Sequence, residues 1–116
     1  MVSDLSDSGQ NARFGSAVLG AVDDGLLVYG AAVRHALYYS VEAKHHLKRE
    51  QIPDRIEEFH KAIGELCGYG VRVTERLIAK SLYSRLGLDF VEHKEWSLVE
   101  HVRHVKKETE KRDSSR

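Results

Sequence analysis

Two apolar stripes at helical spacing meet in the middle of the chain, Ile56, Phe59, Ile63 and Leu66 in one and Val71, Leu77, Ile78, Leu82 and Leu86 in the other, joined only by Cys67-Gly68-Tyr69-Gly70. Four residues with two glycines can stop one helix and start the next, and they leave no room for a strand or a long loop. Residues 56 to 86 are therefore committed to a helix pair folded at a corner. Helix, glycine turn and helix is also the outline of a helix-turn-helix DNA reader, in which the second helix enters the major groove.

The flanking sequence extends the helical pattern. Residues 1 to 12 are dominated by Ser, Asp, Gly, Asn and Gln, and are expected to stay disordered. From Arg13 on, Phe14, Ala17, Val18, Ala21 and Val22 recur at spacings of three and four, which predicts a short helix ending near Asp23-Asp24-Gly25. A longer helix from about Tyr29 to His46 would turn Val33, Ala36, Leu37, Ser40, Val41 and Leu47 inward, and Arg34, His35, Tyr38, Glu42 and His45 outward. Ile52-Pro53 breaks the chain, after which Asp54 is placed to cap the next helix with Glu57 reaching back. Gly87 ends the helix that begins at Val71. In the connector from Leu88 to Trp96, Phe90-Val91 is either a short extended piece or a plug over the core. Ser97-Leu98-Val99-Glu100 matches a capping box that opens a last helix with Leu98, Val102 and Val105 inward. No internal repeat or sustained heptad is present. The expected architecture is all-α: a single domain of about five helices over residues 13–106, with the helix-turn-helix-like pair in its middle and a frayed polar tail at 107–116.

A chain of 116 residues is long enough to bury one core without disulfides or structural metal. Its one cysteine, Cys67, cannot form an internal bridge, and there is no positively charged leader, with Asp4 and Asp7 near the start; both argue for a reducing cytoplasm. The longest apolar stretches stop near Asp23 or Gly30, short of the roughly 20 residues a bilayer requires, so no membrane role is expected. Formal charge is zero, which removes the simple case for a general nucleic-acid binder. The charge is nonetheless uneven, with four basic residues against one acidic in 68–86 and six against three in 101–116.

Seven histidines raise the question of a metal. The best group is His101, His104 and Glu108, which spacings of three and four bring to one helical flank; no second cluster completes a coordination shell, so a solvated flank is the favoured reading. Glu42 with His45 or His46 is similarly incomplete. His60 and Cys67 share a helix side, but seven residues at about 1.5 Å rise set them roughly 10 Å apart, too far to ligate one ion. His60 is expected at the core edge, satisfying a buried carbonyl, and Cys67 as a small buried apolar residue. Gly68-Tyr69-Gly70-Val71-Arg72 lacks the preceding strand and third glycine of a dinucleotide fingerprint, although a helix starting there could bind an anion weakly. No nucleophile elbow, Walker lysine, His-Glu-x-x-His or Cys-x-x-Cys occurs, so no cofactor and no catalytic class has positive support.

The candidate binding face is the stripe Arg72, Arg76, Lys80 and Tyr83, successive residues about one helical turn apart. Three cations and an aromatic ring can hold phosphate and stack a base, but Glu75 lies near the stripe's edge in a neutral protein. A solvated face, a nucleic-acid contact and a protein contact all fit. The leading expectation is a non-enzymatic regulatory or protein-interaction domain that presents the outer sides of its last two helices to an unknown protein partner. A homodimer would bury apolar surface that the wide arc of Val71 to Leu86 presents beyond one small core. The alternative is a DNA-binding helix-turn-helix regulator using the basic face of 71–86.

The stretch Tyr29-Gly30-Ala31-Ala32-Val33-Arg34-His35-Ala36-Leu37-Tyr38-Tyr39 resembles a family of archaeal domains called the Nitrosopumilus output domain. Further matches follow in order at Leu47-Lys48-Arg49-Glu50-Gln51-Ile52-Pro53, Glu58-Phe59, Gly68-Tyr69-Gly70, Glu75-Arg76-Leu77-Ile78 and Leu82-Tyr83-Ser84-Arg85-Leu86-Gly87-Leu88, covering about residues 20 to 90. Cys67 stands where the family pattern carries a bulkier aromatic residue. The resemblance implies a small helical module of archaeal signalling or regulatory proteins, and brings no catalytic residue with it.

Overall fold

A computed structural model of the chain describes the backbone of residues 2–114 and the side chains of residues 12–112. Five α-helices follow one another: α1 (Val2–Leu26), α2 (Ala31–His45), α3 (Ile56–Cys67), α4 (Val71–Arg85) and α5 (Leu98–Ser114), with single 3-10 turns at Leu27–Tyr29, Arg49–Gln51 and Gly68–Gly70. No strand occurs among the described residues. The architecture is all-α, as the stripes predict.

Helix α4 lies at the centre and packs against α1, α3 and α5. Gly20 of α1 meets Arg85, and Gly25 meets Ile78, so α1 and α4 run antiparallel. The close approach at Gly25 leaves no space for a side chain, and the helix passes through this glycine to Leu26 instead of ending there. Val18, Ala21, Val22 and Leu26 from α1 close on Ile78, Ala79 and Leu82 from α4, with Phe59, Ala62 and Ile63 of α3 and Leu98, Val102 and Val105 of α5 completing the core. Removing this apolar surface from water at roughly 25 cal/mol per Å² is the main stabilising contribution.

Helix α2 is more exposed than its pattern predicts. Val41 and the following Leu47 are buried, whereas Val33 and Ala36 face solvent. Tyr38, expected outward, turns in because its hydroxyl donates to Asp23 Oδ1 (2.5 Å) while Arg49 pairs with the same carboxylate. Burial alone would raise the Asp23 pKa, but the hydrogen bonds from Arg49 and Tyr38 outweigh it and hold the carboxyl below its ordinary value.

The helix ends show which local signals operate. Glu100 accepts from the Ser97 backbone N–H, the return half of the capping box, and Ser97 Oγ caps the helix by accepting from Val99 N (3.2 Å), one residue before the position the box uses. At the end of α4, Leu88 N donates to Tyr83 O (2.9 Å) and Gly87 N to Ser84 O (3.1 Å), a Schellman closure that needs the left-handed backbone of Gly87 (φ 70°). Arg112 of α5 adds a hydrogen bond to Leu86 O (2.6 Å). Asp54 does not cap α3: the residue ahead of Ile56 is Arg55, which reaches Glu58, Gln51 and the His46 carbonyl instead.

Both terminal helices outrun their apolar stripes. α1 begins at Val2, inside the stretch expected to be disordered, and α5 continues to Ser114, past the expected fraying after Lys106. Once a packed turn exists, each added residue gains a backbone bond without repeating the nucleation cost. Met1, Ser115 and Arg116 lie outside the described residues.

Candidate binding site

The corner expected at Cys67 to Gly70 forms. Gly68 adopts φ 58°, ψ −128°, which turns the chain out of α3 and through one 3-10 turn into α4. On α4, buried residues come as adjacent pairs every four positions: Thr74 and Glu75, Ile78 and Ala79, Leu82 and Tyr83. The basic stripe occupies the other side, with Arg72, Arg76 and Lys80 exposed.

Tyr83 is not part of that stripe. It is 1% exposed, edge-on to Phe90 at 5.1 Å, and its hydroxyl shares a 3.0 Å hydrogen bond with His101 Nδ1. Burial raises its pKa, with Glu108 adding to the shift. The connector accounts for two of the three cations as well. Arg76 donates through Nε (3.1 Å) and Nη2 (2.7 Å) to Glu92, and both Arg76 and Lys80 stand over the Phe90 ring at 5.9 and 5.8 Å. Phe90 is thus a plug over the core and not a strand. Arg72 alone of the four has no ion-pair, hydrogen-bond or ring partner among the described residues.

Glu75 sits deeper than its sequence position implies. It is 6% exposed; one carboxylate oxygen is paired with His60 Nδ1, and the other accepts from the backbone N–H of Leu98 (3.3 Å). One side chain of α4 thereby holds α3 and the first turn of α5 together. His60 is half-exposed and satisfies this carboxylate rather than the expected carbonyl, and Cys67 is only partly buried against the core. The signal missed in the sequence is the spacing of Glu75 from Ile78, Ala79 and Leu82, which puts it on the buried side.

His101, His104 and Glu108 do not converge as ligands. His101 is buried and stacks on Phe90 at 5.4 Å, His104 stacks on Tyr83 at 6.3 Å, and Glu108 pairs loosely with Lys111 at 3.8 Å. Burial lowers the His101 pKa, and His93 and His104 lower it further. These rings join Trp96, stacked on His93 at 3.8 Å, in an aromatic cluster that fastens the connector and α5 to α4. Among the described residues no group of three or more His, Cys, Asp or Glu side chains is placed to hold a metal ion. His45 bonds Glu65 of α3 at 3.1 Å.

Two surface features remain around the first half of α4. At the corner, Tyr69 is fully exposed and Val73 is 65% exposed, one turn apart and flanking Arg72; Tyr29 is fixed nearby by a 2.5 Å hydrogen bond between its hydroxyl and Thr74. Beside the corner, a cleft of about 460 Å³ opens between α3, α4, the connector and the start of α5. Glu75, Leu98 and His101 form its buried floor, and Arg72, Lys94 and Trp96 are among its walls.

Comparison with known proteins finds no family model that matches the chain and no significant match among curated proteins or solved structures. No helix among the described residues is long and apolar enough to cross a membrane.

Proposed function

We propose that this chain is a non-enzymatic regulatory or protein-interaction domain that engages a protein partner through the corner between α3 and α4. The observation that carries the reading is the exposed trio Tyr69, Arg72 and Val73, with Tyr29 anchored beside it. Aromatic and arginine side chains dominate the energetic centres of protein interfaces, and an exposed apolar group rimmed by polar residues marks such a surface. The exposed apolar groups lie at this corner, along Leu27, Val28, Val33 and Tyr39, and at Val91 of the connector, whereas the arc on α4 is covered by α1, α3 and α5. A self-associating copy would therefore use the corner and the exposed first turn of α4, not the covered apolar arc.

The DNA-reading alternative draws less support from the same region. Arg76 and Lys80 are engaged by Glu92 and Phe90, and the buried Tyr83 ring cannot stack on a base. That leaves Arg72 as the uncommitted cation of the stripe.

Affinity capture from native lysate, with and without nuclease, tests the reading when the wild-type chain is run beside Tyr69→Ala/Arg72→Ala/Val73→Ala. A protein retained after nuclease by the wild type and lost by the triple variant, at unchanged helicity, is the expected result. Equal retention by both chains refutes the corner as the contact, and retention that nuclease abolishes favours nucleic acid.

A further inference from the structure

We propose that the cleft between α3, α4 and the start of α5 binds a small organic anion that carries a flat, ring-like body. This goes beyond a protein contact, since it needs no partner. The volume, about 460 Å³, lies within the roughly 300–1,000 Å³ typical of small-molecule sites. Its chemistry is divided between cations at the walls and a ring. Arg72 and Lys94 have no bonding partner among the described residues, and a guanidinium and an ammonium lining one cleft are each suited to a carboxylate or phosphate.

The remaining charges do not compete for that anion. Arg76 is held by Glu92, and both oxygens of Glu75 on the floor are occupied, one by His60 and one by the Leu98 N–H at the positive end of α5. Glu95 is the one lining carboxylate left over, and it is exposed to solvent. Trp96 supplies the flat surface. One face of its indole is stacked on His93 at 3.8 Å with the planes 17° apart, and the ring is edge-on to buried His101 and tilted against His104 at 5.4 Å, so its plane is set before any ligand arrives and the face away from His93 is the one a ring would meet. A preset indole beside two free cations recognises a ring bearing an anionic group better than either part alone.

Trp96 is the chain's single tryptophan, so its fluorescence reports on this cleft. The test is titration of the full chain with phenyl phosphate and with benzoate, against inorganic phosphate and phenol as arms lacking the ring or the charge. A saturable change with at least one aryl anion is expected, at concentrations about tenfold or more below those needed for inorganic phosphate or phenol. Arg72→Ala and Lys94→Ala should each weaken it by about tenfold, the loss expected when one charge-assisted contact is removed. Backbone amide shifts should centre on residues 72 and 94–98.

Wild-type protein that does not saturate with either aryl anion, or saturation untouched in Lys94→Ala, overturns the proposal. The two surfaces are separable: Tyr69→Ala should leave the titration unchanged, and Lys94→Ala should leave partner capture unchanged.

Discussion

Gly25 offers the sharpest check on how α1 and α4 pack, because its replacement by alanine should do the opposite of what helix propensity dictates. An alanine Cβ built at residue 25 stands 2.3 Å from Ile78 Cγ1, 3.1 Å from Ile78 N and 3.3 Å from Ile78 Cα. Carbon atoms settle at about 3.5–4.0 Å, so the side-chain contact is more than an ångström too short. Turning Ile78 off its rotamer costs about 0.5–1.5 kcal/mol and does not move the backbone atoms. The helices must also part, and overpacking of this kind costs about 1–3 kcal/mol. Against this, alanine regains about 1 kcal/mol of helix propensity, leaving a net loss of about 0.5–3.5 kcal/mol. Gly64 is the matched control, since it lies in α3 with no atom within 4 Å of an added Cβ. Gly64→Ala should therefore stabilise by about 0.5–1 kcal/mol. Urea and thermal unfolding by circular dichroism read both, with about 4 °C of Tm expected per kcal/mol in a domain of this size. If the two variants shift in the same direction, or if Gly25→Ala matches the wild type, the close antiparallel contact at Ile78 is refuted.

Two further tests address the polar interior. Glu75→Gln keeps the shape but removes the charge shared with His60 and the α5 N-terminus, and should cost about 1–3 kcal/mol in urea unfolding; Glu75→Ala should cost more and speed hydrogen exchange at the Leu98 amide, and unchanged exchange there would remove Glu75 as the link between α4 and α5. His101 gives a pH dependence of known sign: its folded pKa lies below the ordinary value of 6.5, so the unfolded chain takes up the proton first as pH falls. Its contribution is intact above about pH 6.5 and is lost below it, with a slope of up to about 1.4 kcal/mol per pH unit until the folded-state pKa is reached. His101→Gln should flatten the wild-type decline in stability as pH falls below about 6.5, and an unaltered slope would show that His101 is not buried in its neutral form.

What the sequence discloses follows from how far each signal reaches along the chain. The Ser97 to Glu100 capping box, the Gly87 closure and the break before α3 each depend on neighbours within a few residues, and all three are legible. The face that α4 buries depends on neighbours distant in sequence: the partners of Glu75 lie 15 and 23 residues away, and that of the Tyr83 hydroxyl lies 18 residues away. Charge made Glu75 look like a surface residue and a phenol made Tyr83 look like a contact residue. Yet the pairs 74/75, 78/79 and 82/83, four residues apart, record one buried side whatever their polarity. A helix enclosed on three sides weakens the contrast between apolar and polar faces on which amphipathic reading depends, and satisfied polar groups can then occupy the inside. The basic stripe was visible for the complementary reason, since Arg72, Arg76 and Lys80 needed only helical spacing to share a side. Which of them is free was not, because Glu92 and Phe90 reach α4 through an irregular connector whose path no periodicity encodes. Arg72, the cation that this connector leaves uncommitted, is consequently where the corner and the cleft meet, and a substitution there should affect both surfaces while Tyr69→Ala and Lys94→Ala affect one each.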